Sequence, residues 1–400
     1  MDRFVADNYK TPVICDRDKN SELILAGVFF LNGSSDEQPE YNGINHLIEH
    51  MVFKGTKKYS ARDISFKVES LGGYLNAYTT KEYTCFYIKM LKENFKKLVD
   101  ILSSICFEAV FNENEFEREK DVISAEISSI RDNPQEYLSE ISESCIFKNQ
   151  GYRLPIAGTI DSVKGIELNF FTKYYAEKFG SYGYFGALSG NFEDDELEYF
   201  VSKMPYAPFE EKFFKKEDII IVKREFEIEY EQSYLSYYLN LDSIFSEQKY
   251  AYYLISYMLC ESMSSRLFQR MREELGLCYN ISSDVTLYRI GGYLSIDAEV
   301  NKSNVSKFDK YLLKELEILY KKGFRKKEMM SARNQILLNI KYGFEGALNR
   351  FEINAKQFMN DKKLITPSEI EKKVLQYSLN DLNLIFKKIY EQGIGICKTK

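Results

Sequence analysis

The sequence has no tryptophan, only two histidines, seven prolines and no Cys-x-x-Cys pair. Each scarcity excludes something. Without Trp, the 15% of aromatic residues are all Tyr and Phe, a mix that suits strands and cores and points to no ligand. The seven cysteines (Cys15, Cys85, Cys106, Cys145, Cys260, Cys278 and Cys397) are scattered and odd in number. That pattern excludes a disulfide frame or a zinc ribbon and reads as free thiols in a reducing compartment. Long apolar runs are missing too. The longest, 23–31, spans nine residues, about half of what a membrane helix needs. The opening residues, Met1 to Asp7, hold no apolar run that could serve as a signal peptide. A cytoplasmic location with no membrane partner is the expectation. A large charge excess is also absent: 54 Lys and Arg against 60 Asp and Glu leave a net charge of −6, which argues against nucleic acid as a partner.

What is present is a globular composition, 44% hydrophobic and 28% charged. A chain of 400 residues exceeds one ordinary core, so two domains are the default. Segments 12–15 and 23–31 read as strands, the second apolar enough to be buried on both faces. Residues 43–55 form a helix between glycines, and 61–71 a short helix stopped by Gly72 and Gly73. Segments 74–80 and 83–90 alternate and are rich in Tyr, Thr and Ile, as strands are. Helical stretches follow at 93–107, at 113–131 and from Gln135 after Pro134. This order predicts an α+β fold, a mainly antiparallel sheet with helices packed on one face.

Pro205 and Pro208 precede a charged run at 210–218, which reads as a linker over 205–218 between domains 1–204 and 219–400. Its place near the midpoint prompts a search for a repeat. The string Val68-Glu-Ser-Leu-Gly-Gly-Tyr-Leu-Asn76 is similar to Arg272-Glu-Glu-Leu-Gly-Leu-Cys-Tyr-Asn280. In both, a helix stops at glycine and tyrosine-rich strands follow, and long helices recur at 303–322 and 326–359. Two homologous domains by duplication are expected. The second has no histidine, so a metal site belongs to the first.

Both histidines lie in one segment, His46-Leu47-Ile48-Glu49-His50. Chance would place two histidines four apart in roughly one chain in 200, so the spacing is informative before the glutamate is counted. On a helix, residues i and i+4 share a face and both imidazoles can meet one ion. Glu49 stands on the adjoining part of the turn, where a carboxylate can reach water at the metal. Catalytic zinc typically takes three protein ligands, and with no further histidine the third must be Cys, Asp or Glu. Helix 113–131 offers Glu115, Glu117, Glu119 and Glu126. Glu119 and Glu126 are two turns apart, about 10 Å along the axis, and interrupt the apolar side where Phe116, Val122 and Ile123 should pack. A metal or a metal-bound histidine would partner such a carboxylate.

The segment His46 to Thr56 resembles the inverted zinc motif H-x-x-E-H of the inverzincins, the pitrilysin-like M16 zinc peptidases. The likeness is to their short two-domain members, which resemble mitochondrial processing peptidase subunits. The resemblance implies zinc (Zn2+) held by His46, His50 and a glutamate 76 residues beyond, where Glu126 stands. It implies Glu49 as the general base toward the attacking water and Glu119 as the supporting catalytic glutamate. Gly72 to Thr79 resembles the strand beside the zinc that holds an extended substrate, which points to Asn76 and Ala77. Ser264 to Tyr279 resembles the family's R-x6-Y pair, making Arg272 and Tyr279 the groups that bind the scissile carbonyl. The implied function is a zinc-dependent endopeptidase that hydrolyses peptides or unfolded segments in an enclosed chamber. At this length the chain resembles one half of a clamshell, so a homodimer, or a heterodimer with a related subunit, is expected. The alternative is a non-catalytic or partner-dependent subunit of such a heterodimer.

Overall fold

In a computed structural model of the chain, residues 2–7, 9, 11–179, 183–206 and 214–400 are described. They form two compact units that are not contiguous in sequence. The first comprises Met1–Ser129, Gln150–Phe213 and Gly343–Leu364; the second comprises Ile130–Asn149, Phe214–Tyr342 and Ile365–Lys400. The linker expected at 205–218 falls partly on 207–213, outside the described residues. The local pattern around that linker gives no sign that two segments change sides.

The strands of the first unit are β1 (Asp2–Ala6), β2 (Val13–Arg17), β3 (Leu23–Phe30), β4 (Tyr74–Thr79), β5 (Thr84–Leu91) and β6 (Tyr184–Gly190). They form one sheet in the order β1-β2-β6-β3-β5-β4. Only β2 and β6 run parallel; the other pairs are antiparallel. The first helices along the chain are α1 (Ile44–Met51), α2 (Ala61–Ser70), α3 (Phe95–Phe107), α4 (Glu113–Asp132) and α5 (Pro134–Ile146).

Alternate residues of β3 face opposite sides of the sheet. Phe30 packs on Phe107 of α3 and on Phe179. Phe29, on the other face, stacks on Phe185 and meets Phe351 with ring centroids 5.4 Å apart. Phe351 lies in the helix Ala347–Asp361, which covers that second face with Ala355, Phe358 and Met359. Residues 326–359 therefore do not form one helix. It breaks at Gly346, whose backbone is extended (φ −80°, ψ 133°), and the second piece joins the first unit.

Arg350 anchors that piece. Its Nε donates to Asp16 Oδ2 (2.7 Å) and its Nη2 to Asp18 Oδ2 (3.2 Å), while Nη1 reaches the carbonyls of Phe344 and Glu345. Arg350 and Asp16 are both buried. In Arg350→Met, the Asp16 side chain keeps, among the described residues, only the Ser189 hydroxyl (3.1 Å) as partner. A buried carboxylate without its countercharge costs about 3–5 kcal/mol. That loss is the expected shift in denaturant unfolding. A loss below about 1 kcal/mol, the range of a surface pair, would show the anchor to be dispensable.

The strands of the second unit are β7 (Lys223–Phe226), β8 (Ser233–Leu241), β9 (Asn280–Leu287), β10 (Gly292–Val300) and β11 (Gly395–Thr399). Their order is β7-β11-β8-β10-β9, with β7 and β11 parallel. Position by position this matches β2-β6-β3-β5-β4. Leu235, Tyr237, Leu239 and Leu241 of β8 pack on helices Lys249–Leu259, Val305–Lys322 and Leu379–Glu391. Tyr238, between them, faces the other way onto Tyr293. There α5 covers the sheet, and its Glu143 accepts from the hydroxyls of Tyr288 (2.8 Å) and Tyr293 (2.9 Å). Thus α5 takes in the second unit the place that Ala347–Asp361 takes in the first. The repeat read from sequence also agrees in backbone. Gly72 and Gly276, its equivalent glycines, both adopt the left-handed conformation (φ +68° and +58°), which side chains rarely tolerate. Among the described residues no helix is long and apolar enough to cross a membrane.

Candidate metal centre

Helix α1 begins at Gly43 and carries Ile44, Leu47, Ile48 and Met51 on its buried side. His46 is buried as well, while Glu49 and His50 are half-buried on the adjoining face. Helix α4 buries Phe116, Ile123 and Ile127 together with Glu119, which is only 4% exposed. Val122, expected in that apolar face, is instead exposed.

His46 Nε2 lies 3.6 Å from Glu126 Oε1, and His50 Nε2 lies 3.6 Å from Glu126 Oε2. One ligand atom from each of the three residues falls within 4.8 Å of the others, so the set could hold a metal ion. At 3.6 Å a hydrogen bond is ruled out. With bonds of about 2.0–2.2 Å, the ligand atoms of a tetrahedral zinc site lie roughly 3.4 Å apart. The spacing therefore suits a shared cation. Burial, with His50 beside it, pushes His46 down to about 4, so its imidazole is neutral near pH 7 and keeps a lone pair for a metal. Two imidazoles and one carboxylate form a donor set that fits zinc.

The surrounding groups complete the arrangement. His50 Nδ1 lies 3.1 Å from Glu119 Oε2, the outer carboxylate contact that orients a metal-ligating histidine. Lys54 pairs with the other oxygen of Glu119. Thr79 Oγ1 donates to Glu49 Oε2 (2.7 Å), tying β4 to α1. Burial raises the Glu49 carboxyl, and the Thr79 hydroxyl and His50 act the other way. Lys54 and Thr79 were not among the residues singled out from sequence. Lys54 follows His50 by one helical turn, a spacing that puts it on the same face. Thr79 ends the strand segment that the resemblance marked, but nothing tied it to Glu49, because that partner comes from a distant helix.

Of the four glutamates left open on α4, Glu115 pairs with Arg118 and Glu117 with Lys120, each an i, i+3 contact along the helix. Glu119 and Glu126 turn to the histidines. Asn76 is exposed on β4 and its Oδ1 accepts from the N–H of Ala77 (2.9 Å). The outer edge of β4 has no partner strand among the described residues. Arg272 lies on a π-helical segment, Phe268–Glu274, with its guanidinium 4.8 Å from the Phe268 ring. Tyr279 is 77% exposed just before β9. Both belong to the second unit, and the histidines to the first.

A duplicated α+β chain carrying H-x-x-E-H on one helix and paired glutamates on another is the class of the inverzincin peptidases. The chain belongs to peptidase family M16, in its short two-domain form. Residues 13–160 match the family described as "Insulinase (Peptidase family M16)", and residues 169–336 match "Peptidase M16 inactive domain". The chain is similar to "Uncharacterized zinc protease YmxG" of Bacillus subtilis, 29% identical over 96% of this chain and 94% of that protein. Its fold is similar to a structure from Pseudomonas fluorescens described as a peptidase M16 inactive domain. The TM-score there is 0.90 at 15% identity, over 100% of this chain and 98% of that one. A Helicobacter pylori protease gives a TM-score of 0.88 at 18% identity, over 100% and 99% of the two chains.

Proposed function

We propose that the chain is a zinc-dependent endopeptidase acting on peptides or unfolded segments, with His46, His50 and Glu126 holding the ion. One observation carries this reading: both imidazole Nε2 atoms converge on the Glu126 carboxylate at 3.6 Å, with Glu49 on the same helix. Zinc bound there supplies Lewis acidity toward a peptide carbonyl and lowers the pKa of water at the site to about 7. Glu49 would take a proton from the attacking water and return it to the leaving amine. The Thr79 hydroxyl orients Glu49 for this. Glu119 holds His50 by its Nδ1. The open edge of β4, at Asn76 and Ala77, binds an extended peptide by main-chain hydrogen bonds, which gives affinity with little sequence demand. Arg272 and Tyr279 donate to the carbonyl oxygen where negative charge develops.

The active form in this reading is a dimer enclosing the substrate, with Arg272 and Tyr279 acting on the partner's zinc site, in the cytoplasm. The test mixes two inactive chains and uses the wild type as reference. Wild-type chain should cleave a mixed peptide library and stop when a chelator is added. Arg272→Ala mixed with Glu49→Gln should recover about a quarter of wild-type activity, since half of random dimers are mixed and each mixed dimer has one complete site. No recovery in verified mixed dimers overturns action across the interface. A zinc-loaded wild type that cleaves nothing overturns the peptidase reading and favours a non-catalytic or partner-dependent subunit.

A further inference from the structure

The two imidazoles are held in different ways. His50 is fixed through its Nδ1 by Glu119. His46 is 8% exposed, and its Nδ1 has no hydrogen-bond partner among the described residues. Among the described residues no hydrogen bond at Nδ1 fixes its ring, which meets the His50 ring edge-on with centroids 4.7 Å apart, so its direction depends strongly on where the backbone places the first turn of α1. That turn starts at Gly43, with φ +93° and no side chain to cap the free N–H groups.

Two of those groups, the N–H of Gly43 and of Asn45, are taken by Glu37, which comes from the loop before the helix. Its Oε2 accepts from the N–H of Gly43 (2.7 Å) and from Asn42 Nδ2 (2.8 Å). Its Oε1 accepts from the N–H of Asn45 (2.9 Å) and from Asn45 Nδ2 (2.8 Å). Asn45, the residue before His46, is held again by the Gly33 carbonyl (3.0 Å), by Asn32 and by the Tyr174 hydroxyl (3.3 Å). Glu37 is 7% exposed. Burial pushes its carboxyl up to about 7, and the four hydrogen bonds act the other way. A negative charge at a helix N-terminus is favourable. Burying one in a loop that could have kept it in water is costly.

We propose that Glu37 is a positioning residue of the metal site: its carboxylate clamps the first turn of α1 and thereby aims His46 at the ion. The inference rests on the zinc reading above. Loss of an outer group that orients a ligand typically costs 10–100-fold in metal affinity. A merely structural Glu37 would lower stability and leave the site's affinity alone.

The test is Glu37→Gln, which keeps the size but turns an amide NH2 toward two N–H donors. Zinc dissociation constants are measured on the purified full chain by competition with a chelator. The visible spectrum of the cobalt-substituted protein reports the ligand geometry. Glu37→Gln should bind zinc 10- to 100-fold more weakly, with a changed cobalt spectrum. Tyr174→Phe, which removes one contact of Asn45 and one of its neighbour Asn32 but leaves Glu37 in place, should shift both in the same direction by less and decides the matter if Glu37→Gln does not fold. Arg350→Met should lose stability at unchanged zinc affinity. Wild-type affinity in Glu37→Gln, or equal loss of zinc in Arg350→Met, overturns the clamp. Absence of zinc from the wild type overturns the reading beneath it and the clamp with it.

Discussion

Glu49→Gln is expected to keep zinc at wild-type stoichiometry and to lose peptide hydrolysis by about 10²- to 10⁴-fold in kcat, the usual share of a general base. The substitution changes little else. Gln has the same length, and its amide oxygen can still accept from Thr79 Oγ1, which now donates to Glu49 Oε2 at 2.7 Å. The ring of His50, next along the helix, keeps its own contact with Glu119. What disappears is the only group on α1 beside the histidines that can take a proton and return it. The measurement pairs turnover of an unfolded peptide with metal content of the same sample. Retained turnover would sink the assignment of the base. Loss of zinc along with turnover would instead place Glu49 among the groups that hold the metal.

Much of this site was legible because its pieces obey local periodicity. The two histidines four apart and the two glutamates seven apart are each set by a single helix, and a helix fixes which side chains share a face. Strands β3, β4 and β5 were legible for the same reason: 23–31 is apolar throughout and 74–90 alternates. β1, β6 and β11 were not. Their segments (DRFVA, YFGALSG and GICKT) are short or rich in small residues, and β6 finds β2 and β3 only through pairings 154–173 residues apart in sequence. The exchange of α5 and Ala347–Asp361 was equally silent, since an amphipathic helix does not specify which sheet receives it. Glu37 sits among Ser, Asp, Gln and Pro and reads as a solvated loop residue. The one available hint was Gly43, a helix start without a capping oxygen, which requires an acceptor from elsewhere. Physics alone left four glutamates open on α4. Resemblance chose among them, and the two it chose are those whose carboxylates turn toward the histidines.

That choice yields the second large effect, because the two glutamates should fail differently. Glu126→Gln is expected to weaken zinc beyond the 10- to 100-fold that an outer group costs, while Glu119→Gln should fall within that range. The geometry gives the reason. Each oxygen of Glu126 faces a different imidazole Nε2 at 3.6 Å, so in the proposed site both would face the ion, and among the described residues neither is given another ion-pair partner. An amide there loses the charge and offers one oxygen where the site has two. Glu119 faces His50 from behind, with Oε2 3.1 Å from Nδ1 and its other oxygen paired with Lys54. A Gln at 119 can still accept from His50 Nδ1, so the ring stays aimed and only its basicity falls. Its loss also frees Lys54, which is partly exposed and can return to water. Burial sharpens the contrast, since Glu126 is the more exposed of the pair, with 43% of its side chain accessible. Glu126→Gln should therefore leave the apo fold intact, and chelator-competition titration reads metal binding alone. Should Glu119→Gln lose zinc more completely than Glu126→Gln, Glu119 would be the ligand and Glu126 its support.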